Sequence, residues 1–293
     1  MIENIDHEYI GKAHILSEAL PYIRKYHGKT MVIKYGGAAI NADDHNNICR
    51  TVISDIILLS LVGINVVLVH GGGPEINEML KKIGKVPKFV DGLRYTDEET
   101  MYIVQMVLSG RISKQLVQLI GECGGKAISM SGVDGRMLVA KKMSDKDLGY
   151  VGELTEVDPE PVIVAIERGY IPVISTIAVG EEPGAIYNIN ADSAASSLAA
   201  ALEAEKLILM TDVKGLMLDP SDENTLISRA TLPEIAHLIK EEVIAGGMIP
   251  KVECCVEAIR QGVPRAHILD GRIQHSILIE LLSDHGIGTM IFR

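Results

Sequence analysis

Six short apolar runs, separated by longer segments of helical period, constrain the fold of this chain more than any other feature of its sequence. They are MVIKY (31–35), NVVLVH (65–70), AISMSG (127–132), IPVISTI (171–177), KLILMT (206–211) and AHILD (266–270). Continuous apolar strands that alternate with helices are typical of a mostly parallel sheet with helices on both faces. The sequence therefore predicts an α/β protein, a three-layer αβα sandwich around one central sheet.

The segments between these runs predict the other elements. The helical segments are 8–27, 44–62, 74–84, 97–119, 159–168, 191–203, 231–241, 250–260 and 275–284. Between 137 and 157, polar and apolar residues alternate around turn formers, which predicts a local antiparallel excursion. We expect two lobes of one continuous sheet with a cleft between them. The predicted parts are an N-terminal helix (1–29), an N-terminal lobe (30–185) and a C-terminal lobe (186–293).

The composition narrows the class of protein. The chain has 293 residues, of which 47% are hydrophobic, so it can bury one large core or two modest ones. Its formal net charge of −11 disfavours general binding to nucleic acids or membrane surfaces, which requires a basic surface. Its 4 cysteines have no metal-binding spacing, and the adjacent pair Cys254-Cys255 is a poor structural disulfide, which favours a reducing compartment. The charged N-terminus does not resemble a signal peptide, so we expect a cytoplasmic protein.

The stretch VLVHGGGPEIN carries an apolar strand into three glycines and then a helix. Pro74 suits the first helical position, so Gly71 to Gly73 would lie at a helix N-terminus, where free N–H groups and the helix dipole attract anions. A flexible strand-to-helix turn is the alternative interpretation. The P-loop and dinucleotide fingerprints both fail, because Ile23 and Ile76 stand where those motifs require glycine. The sequence predicts an anion site and disfavours a Rossmann dehydrogenase.

Three cations lie where open α/β sheets collect their ligands, beyond the carboxyl ends of strands. Lys34 ends the first predicted strand. Lys251 lies in the first turn of a predicted helix, where the dipole disfavours a cation, so we expect it to have an anionic partner. Arg94 precedes a capped helix, and its guanidinium can grip a carboxylate, although a lone loop arginine is usually just solvated.

Two further clusters have ordinary structural explanations of similar weight. In YNINAD (187–192), Asn190 or Asp192 can cap the following helix, whereas Asn188 has no capping role. In TDVKG (211–215), Thr211 and Asp212 end a strand before a Lys-Gly turn. A capped turn and contact with a nucleotide explain this second cluster equally well.

Taken together, these motifs resemble the amino acid kinase family in order and spacing over residues 30–293. The motifs are IKYGGAA, VLVHGGGPEIN, GLRYTDEETM, YNINAD, LILMTDVKGL and GGMIPKVE. The resemblance is strongest to the branch that phosphorylates N-acetyl-L-glutamate with ATP in arginine biosynthesis. It implies that Lys34 and Lys251 stabilise the transferred phosphoryl group from opposite lobes, and that Asp192 holds both ammonium groups.

The resemblance also implies two sets of binding residues. For the substrate N-acetyl-L-glutamate these are Gly72, Gly73, Arg94, Asn188 and Asn190. For phosphate and ATP they are Gly37, Gly71, Thr211, Asp212, Gly215 and Met248. Mg²⁺ would arrive with the nucleotide, which supplies most of its ligands, so no dedicated metal site is expected in the protein.

A carboxylate acceptor fits the residue inventory, because a carboxylate is ionised at neutral pH and needs no general base. Catalysis then reduces to aligning two anions and neutralising the charge on the transferred oxygens. Carbamate, UMP, glutamate and aspartate are the alternative acceptors within the family. A sensor without catalysis is the alternative of another class, but a sensor would not need charges aimed at a transition state.

Residues 1–29 extend beyond the minimal family pattern as a predicted amphipathic helix that Pro21 interrupts late. Its apolar stripe consists of Ile10, Ala13, Leu16, Leu20 and Ile23. The stripe can pack on its own domain. Hexameric, arginine-inhibited members of the family carry a similar extension that interlaces dimers, and they resemble the C-terminal segment HILDGRIQHSILIELLSDHGIGT. The resemblance implies a homo-oligomer with an allosteric arginine site formed by Tyr22, His267, Glu280, Gly286 and Gly288.

Overall fold

The chain folds around strands that alternate with helices, as the apolar runs predict. The structure is a computed structural model that describes residues 7–36, 45–90, 92–145, 147–219, 221–284 and 286–293. The strands of this part are β1 (Thr30–Tyr35), β2 (Asn65–His70), β3 (Phe89–Val90), β4 (Leu93–Arg94), β5 (Ala127–Ser131), β6 (Leu138–Lys142), β7 (Gly152–Val157), β8 (Ile171–Ser175), β9 (Ile177–Gly180), β10 (Ile186–Asn188), β11 (Lys206–Thr211), β12 (Arg229–Thr231), β13 (Arg265–Asp270) and β14 (Thr289–Phe292).

The helices occupy the segments between the strands. They are α1 (His7–Tyr26), α2 (His45–Leu61), α3 (Gly73–Lys82), α4 (Glu98–Gln105), α5 (Ser113–Glu122), α6 (Glu160–Glu167), α7 (Ala191–Ala201), α8 (Leu232–Lys240), α9 (Met248–Arg260) and α10 (Ser276–Leu282). A π-helix, Met106–Ile112, connects α4 to α5. No helix within the described ranges is long and apolar enough to cross a membrane.

The central sheet has eight strands in the order β12-β14-β13-β11-β1-β2-β8-β5. The six strands from β13 to β5 are mutually parallel, and they are the six strands predicted from the apolar runs. β14 runs antiparallel to β13 at one margin, and β12 is parallel to β14. A parallel sheet aligns the carboxyl ends of its strands at one edge, so the polar residues that follow them are brought together.

A second sheet of four strands, β10-β9-β6-β7, lies beside the first. β6 and β7 are antiparallel, which confirms the excursion predicted from the alternating residues at 137–157. β10 pairs with β9 in this small sheet, so the expected lobe boundary after residue 185 falls between two paired strands. The division of the chain into lobes stays a prediction.

Two helix predictions differ from the structure in detail. The segment 97–119 is interrupted by the π-helix, whose wider turn inserts an extra residue that hydrophobic periodicity does not reveal. The prediction that Pro21 interrupts the first helix is wrong, because α1 continues through it to Tyr26. A proline removes one backbone hydrogen bond, and this helix tolerates the loss.

The core lies in two layers, one on each face of the central sheet. Successive residues of β1 point to opposite layers, Val32 to one and Ile33 to the other, and both are fully buried. One layer contains side chains from α2, α4, α5 and α10, and the other contains side chains from α6, α7, α8 and α9. This arrangement confirms the three-layer αβα sandwich and explains why the centres of the parallel strands are mostly apolar on both faces.

Gly132, which directly follows β5, joins the two sheets. Its N–H donates to the Ser175 carbonyl at 3.3 Å, and its carbonyl accepts from the Leu138 N–H at 2.8 Å. A Cβ at this position would lie 2.3 Å from the Ile177 carbonyl oxygen and 2.5 Å from the Leu138 Cβ. The segments around residues 132, 138 and 177 approach so closely only because residue 132 has no side chain.

We predict that Gly132→Ala lowers the free energy of unfolding by about 2 kcal/mol or more, because backbone atoms must move to admit the methyl group. Urea unfolding measures the change. The matched control is Gly121→Ala, in α5, where no heavy atom lies within 4 Å of the added Cβ. The control should gain roughly 0.5 kcal/mol from the helix propensity of alanine. Equal unfolding midpoints for the two variants would contradict the prediction.

Candidate active site

The candidate site lies at the carboxyl edge of the central sheet, where β1, β2 and β11 end side by side. Tyr35 at the end of β1 is in register with His70 of β2 and with Met210 of β11. Lys34, the glycine loop (Gly71 to Gly73) and Thr211 therefore lie at the ends of three adjacent strands. The first turns of α3 and α7 meet at this edge, since a Cβ on Gly71 would be 3.5 Å from the Ala191 Cβ.

A buried carboxylate between two lysines is the main charged feature of the site. Lys34 Nζ is 2.7 Å from Asp192 Oδ1, and Lys251 Nζ donates to Asp192 Oδ2 at 3.0 Å. The three side chains come from β1, α7 and α9, and at most 24% of any of them is exposed. Asp192 is the anionic partner that the helix position of Lys251 predicts.

Local structure holds this group in place. Asn190 Oδ1 accepts from the Asp192 and Ser193 N–H groups at 2.9 and 3.2 Å, so Asn190 caps α7 and fixes Asp192 in its first turn. The Ser196 hydroxyl donates to the Cys254 carbonyl at 2.8 Å, which ties α7 to α9. Lys251, one turn before Cys254 in α9, is thereby set opposite Asp192.

The charges of this group do not cancel. Burial raises the pKa of the Asp192 carboxyl, but the ammonium groups of Lys34 and Lys251 outweigh it and hold that pKa below its ordinary value. One carboxylate between two ammonium groups leaves a net charge of about +1 in a poorly hydrated site. Such an excess attracts an anion, and the nearby helix N-termini add to the positive potential.

The carbonyl oxygens of the glycine loop are bonded within the protein. The Gly71 carbonyl is 3.0 Å from His70 Nδ1, and the Gly73 carbonyl accepts from Arg94 Nη2 at 3.0 Å. The Gly72 carbonyl accepts the first hydrogen bond of α3, at 2.9 Å. The first amides of a helix have no acceptor within the helix, so the Gly72 and Gly73 N–H groups are available to an anion.

Arg94 lies beside the glycine loop, and its guanidinium has one edge that is free to bind a ligand. It is 8% exposed, its guanidinium carbon lies 4.8 Å from the centre of the Phe89 ring, and burial lowers its pKa to about 10. It stays charged at neutral pH. Among the described residues, no hydrogen-bond partner reaches its Nη1. A buried guanidinium with one free edge is suited to a carboxylate ligand.

The two asparagines of the YNINAD motif have different surroundings. Asn188 Nδ2 approaches Thr96 Oγ1 at 3.4 Å, which leaves it near Arg94, two residues from Thr96. Asn190 uses its side-chain oxygen as a helix cap, so its contact with substrate stays a prediction. Sequence reasoning missed Asn77, whose buried Oδ1 has no partner in the described chain and which lies one helical turn beyond Gly73.

The residues predicted to bind ATP follow β11 and begin α9. Thr211 Oγ1 accepts from the Val213 N–H at 3.0 Å, so it caps a turn, and Asp212 is exposed. Gly215 has a φ of 153°, and a Cβ there would be 2.5 Å from Thr289 Oγ1. Met248 is the first residue of α9. Gly37 lies outside the described residues.

The described chain holds no group of three or more His, Cys, Asp or Glu side chains able to bind a metal ion. The acidic side chain at the centre of the site, Asp192, is already shared by two ammonium groups. Its environment is therefore electropositive, which suits a phosphate group and does not favour a cation bound by the protein alone.

Four of the five residues predicted to bind arginine lie together, away from the lysine pair. His267 Nδ1 is 2.8 Å from Glu280 Oε1, and Glu280 Oε2 accepts from the Ile287 N–H at 2.9 Å. A Cβ on Gly286 would lie 3.3 Å from the Glu280 carboxylate, and one on Gly288 would meet the Ile268 carbonyl at 2.3 Å. The glycines allow the C-terminal segment to wrap around the carboxylate.

The fifth, Tyr22 of α1, reaches the same region by donating its hydroxyl hydrogen bond to Asp284. Sequence reasoning missed Lys206, which is 3% exposed and whose Nζ lies 3.1 Å from His267 Nε2. A lysine at the start of an apolar strand is the signal that could have identified it. Burial raises the pKa of Glu280, but hydrogen bonds from His267 and backbone amides outweigh it and lower that pKa. The cluster thus presents a buried cation and a buried anion.

Known proteins resemble this chain over most of its length. Residues 29–270 match the amino acid kinase family. The acetylglutamate kinase of Clostridium beijerinckii is 55% identical over 96% of this chain and 98% of its own length, and that of Clostridium kluyveri is 54% identical over 97% and 99%.

A solved structure of N-acetylglutamate synthase from Neisseria gonorrhoeae, complexed with coenzyme A and N-acetyl-glutamate, superposes over 96% of this chain. The TM-score is 0.83 and the sequence identity is 27%, and the chain spans 63% of that synthase. The fold and the sequence point to the same family. The chain therefore belongs to the amino acid kinase family and, within it, groups with the acetylglutamate kinases.

Proposed function

We propose that this enzyme transfers the γ-phosphoryl group of ATP to the γ-carboxylate of N-acetyl-L-glutamate, which gives N-acetyl-L-glutamyl 5-phosphate for arginine biosynthesis. The observation that carries the proposal is the buried group Lys34–Asp192–Lys251 beside the glycine loop. Its excess positive charge lies at the same edge of the sheet as the N-terminus of α3. The phosphoryl group moves from ATP to a carboxylate, and its negative charge is spread over three oxygens. Positively charged surroundings stabilise that charge.

Each part of the site has a role in this reaction. The ionised acceptor carboxylate attacks the γ-phosphorus of ATP, so no side chain has to remove a proton. As the new O–P bond forms, the bond from the γ-phosphorus to the β,γ-bridging oxygen breaks, and ADP leaves. Lys34 and Lys251 neutralise the charge on the transferred oxygens, and Asp192 keeps the two ammonium groups apart and oriented. The Gly72 and Gly73 amides donate hydrogen bonds to the same charge. ATP brings Mg²⁺ as part of the phosphoryl donor, since nucleotide oxygens supply most of its ligands.

Arg94 supports an acceptor that carries a second carboxylate. Its free Nη1, beside the Gly73 carbonyl and near Asn188, is suited to the α-carboxylate of acetylglutamate, and the asparagine amide is suited to the acetylamino group. Carbamate has no second carboxylate for this arginine. The relatives named acetylglutamate kinase favour the same acceptor over glutamate, aspartate or UMP. A sensor without catalysis is disfavoured, because all three charged residues are retained.

For regulation, we propose that arginine binds at the cluster of Lys206, His267 and Glu280, with Tyr22 of α1 close by. Free arginine carries a carboxylate, which suits Lys206, and a guanidinium, which suits Glu280. The support is the separation of these two buried charges by a neutral imidazole, whose pKa burial lowers. Arginine bound there would inhibit the kinase.

We also propose a homo-oligomer, based on dimers that assemble into a hexamer. On α1, Leu16 is 73% and Leu20 is 53% exposed, so the described part of the chain leaves these two residues of the apolar stripe uncovered. The side chains of Ile10 and Ala13 lie outside the described part of the helix. The free thiols of all four cysteines support the expected cytoplasmic location.

The acceptor is tested by trapping the acyl phosphate as a hydroxamate. With MgATP and hydroxylamine, we predict a hydroxamate from N-acetyl-L-glutamate and at most trace amounts from glutamate, aspartate or carbamate. The reason is the combined demand of Arg94 and Asn188 for a carboxylate and an amide on one substrate. Product from glutamate or carbamate, with none from acetylglutamate, would show that the acceptor is assigned wrongly.

The lysines are tested by steady-state kinetics. We predict that Lys34→Ala and Lys251→Ala each lower kcat about 10²-fold or more, with a smaller change in KM for acetylglutamate, because their charge stabilises the transition state. Lys82→Ala is the matched control, since Lys82 is exposed and paired with Glu78 on the surface of α3. If the two substitutions raise KM and leave kcat unchanged, the lysines serve binding alone and the prediction is wrong.

Regulation is tested by adding arginine to the wild type, to a chain that lacks residues 1–25, and to Glu280→Gln. Arginine should inhibit the wild type. The charge-neutral variant should need at least about 10-fold more arginine for half-inhibition, because a charged hydrogen bond to the guanidinium is lost. Glu241→Gln, on an exposed turn after α8, is the control. Equal wild-type activity with and without arginine would refute the allosteric site.

A further inference from the structure

The proposed reaction gives no role to His70, a buried titratable group of the site. His70 ends β2 and is completely buried. Its Nδ1 lies 3.0 Å from the Gly71 carbonyl oxygen, and its Nε2 lies 2.8 Å from the hydroxyl of Ser113, the first residue of α5. Both ring nitrogens are therefore engaged, one by the glycine loop and the other by a helix from the opposite side.

These contacts define the state of the ring. A carbonyl oxygen only accepts, so Nδ1 carries the hydrogen and donates it to Gly71. Nε2 is then an acceptor, and the Ser113 hydroxyl donates to it. Burial lowers the pKa of His70 to about 4, so the ring is neutral at physiological pH and cannot serve as an acid there. Ser113 selects the tautomer that holds the Gly71 carbonyl.

The geometry of the peptide bond connects this contact to the cleft. In a trans peptide the C=O of one residue and the N–H of the next point in opposite directions. The Gly71 carbonyl and the Gly72 N–H belong to one such plane. We propose that His70 and Ser113 are positioning residues, which hold the Gly71 carbonyl inward so that the Gly72 N–H points at the transferred phosphoryl group. This inference rests on the proposed phosphoryl transfer.

The packing below the loop supports the assignment. A Cβ on Gly72 would lie 2.2 Å from Ile112 Cδ1 and 2.7 Å from Leu108 Cδ2, both in the π-helix. The loop therefore rests on the wide turn that immediately precedes Ser113. Because glycine has no side chain to fix this peptide, an external hydrogen bond has to do it. π-Helical segments are rare and occur frequently at functional sites.

If His70 and Ser113 had only a structural role, replacing them would lower stability and leave kcat unchanged. Steady-state kinetics therefore distinguish a structural role from a positioning role. We expect His70→Leu to lower kcat about 10²-fold, as the loss of one oriented donor does, with KM for acetylglutamate nearly unchanged. His70→Asn, whose amide nitrogen can replace Nδ1, should recover most of the rate. Ser113→Ala should lower kcat about 10-fold, since one buried hydrogen bond is lost, and Ser113→Thr should restore it.

Ser109→Ala is the matched control, because Ser109 lies in the π-helix that precedes Ser113 and its hydroxyl bonds Ser175 at 3.0 Å, not the loop. Its kcat should stay within about 2-fold of the wild type. Thermal unfolding of every variant identifies those that fail to fold. If His70→Leu does not fold, the Ser113→Ala and Ser113→Thr pair still decides the matter.

The ring is observed directly in the full-length protein by ¹⁵N NMR of histidine. At neutral pH we expect a neutral His70 with its hydrogen on Nδ1, and in Ser113→Ala a loss of that single tautomer. A wild-type ring with its hydrogen on Nε2, or a charged ring, would overturn the inference.

Folded Ser113→Ala and His70→Leu variants that keep the wild-type kcat would overturn it as well. A wild type that transfers no phosphoryl group contradicts the proposed function itself. An active wild type with a fully active Ser113→Ala contradicts only the role of His70 and Ser113.

Discussion

The site depends on one buried carboxylate, Asp192, that holds two lysines from distant parts of the chain. Removing each charge from water costs several kcal/mol, and the pairings only partly offset this, because two cations share one anion. The surroundings must therefore keep Lys34 and Lys251 in place against their mutual repulsion. The sheet fixes Lys34, and the packed pair α7 and α9 fixes the other two residues. The remaining positive charge is the driving force for binding an anionic substrate.

A site of this kind destabilises the protein that contains it, so the stability has to come from elsewhere. Glycines at the strand ends bury little surface, and the first amides of α3 have no partner within the helix. The parallel strands offset these costs, because residues such as Val32 and Ile33 are buried on both faces of the sheet, and each contributes roughly 1.5–3 kcal/mol. The division between an apolar centre and a polar edge lets one sheet supply both stability and chemistry.

β11 connects the two charged regions of the molecule. Lys206 at its beginning contacts the cluster proposed to bind arginine, and Thr211 at its end lies next to β1 and the lysine pair. Five residue steps of about 3.3 Å separate them, so roughly 16 Å of buried strand joins the two regions. We propose that this strand is the route by which arginine, bound near Lys206, would affect the active site.

The sequence by itself determined the six parallel strands, the αβα class and the strand-end positions of Lys34, the glycines and Thr211, because burial on two faces and helix-start chemistry are local patterns. It also indicated that Lys251 needs an anion. The family resemblance implied that this anion is Asp192, and the tertiary structure shows the contact. Only the tertiary structure decided that Asn190 is used as the cap and that Arg94 keeps a free guanidinium edge. The same holds for the contacts of His70 with Ser113 and of Lys206 with His267. The contacts of Lys251, His70 and Lys206 join residues far apart in the chain. Helix packing and a π-helical turn bring these residues together, and no local periodicity encodes them.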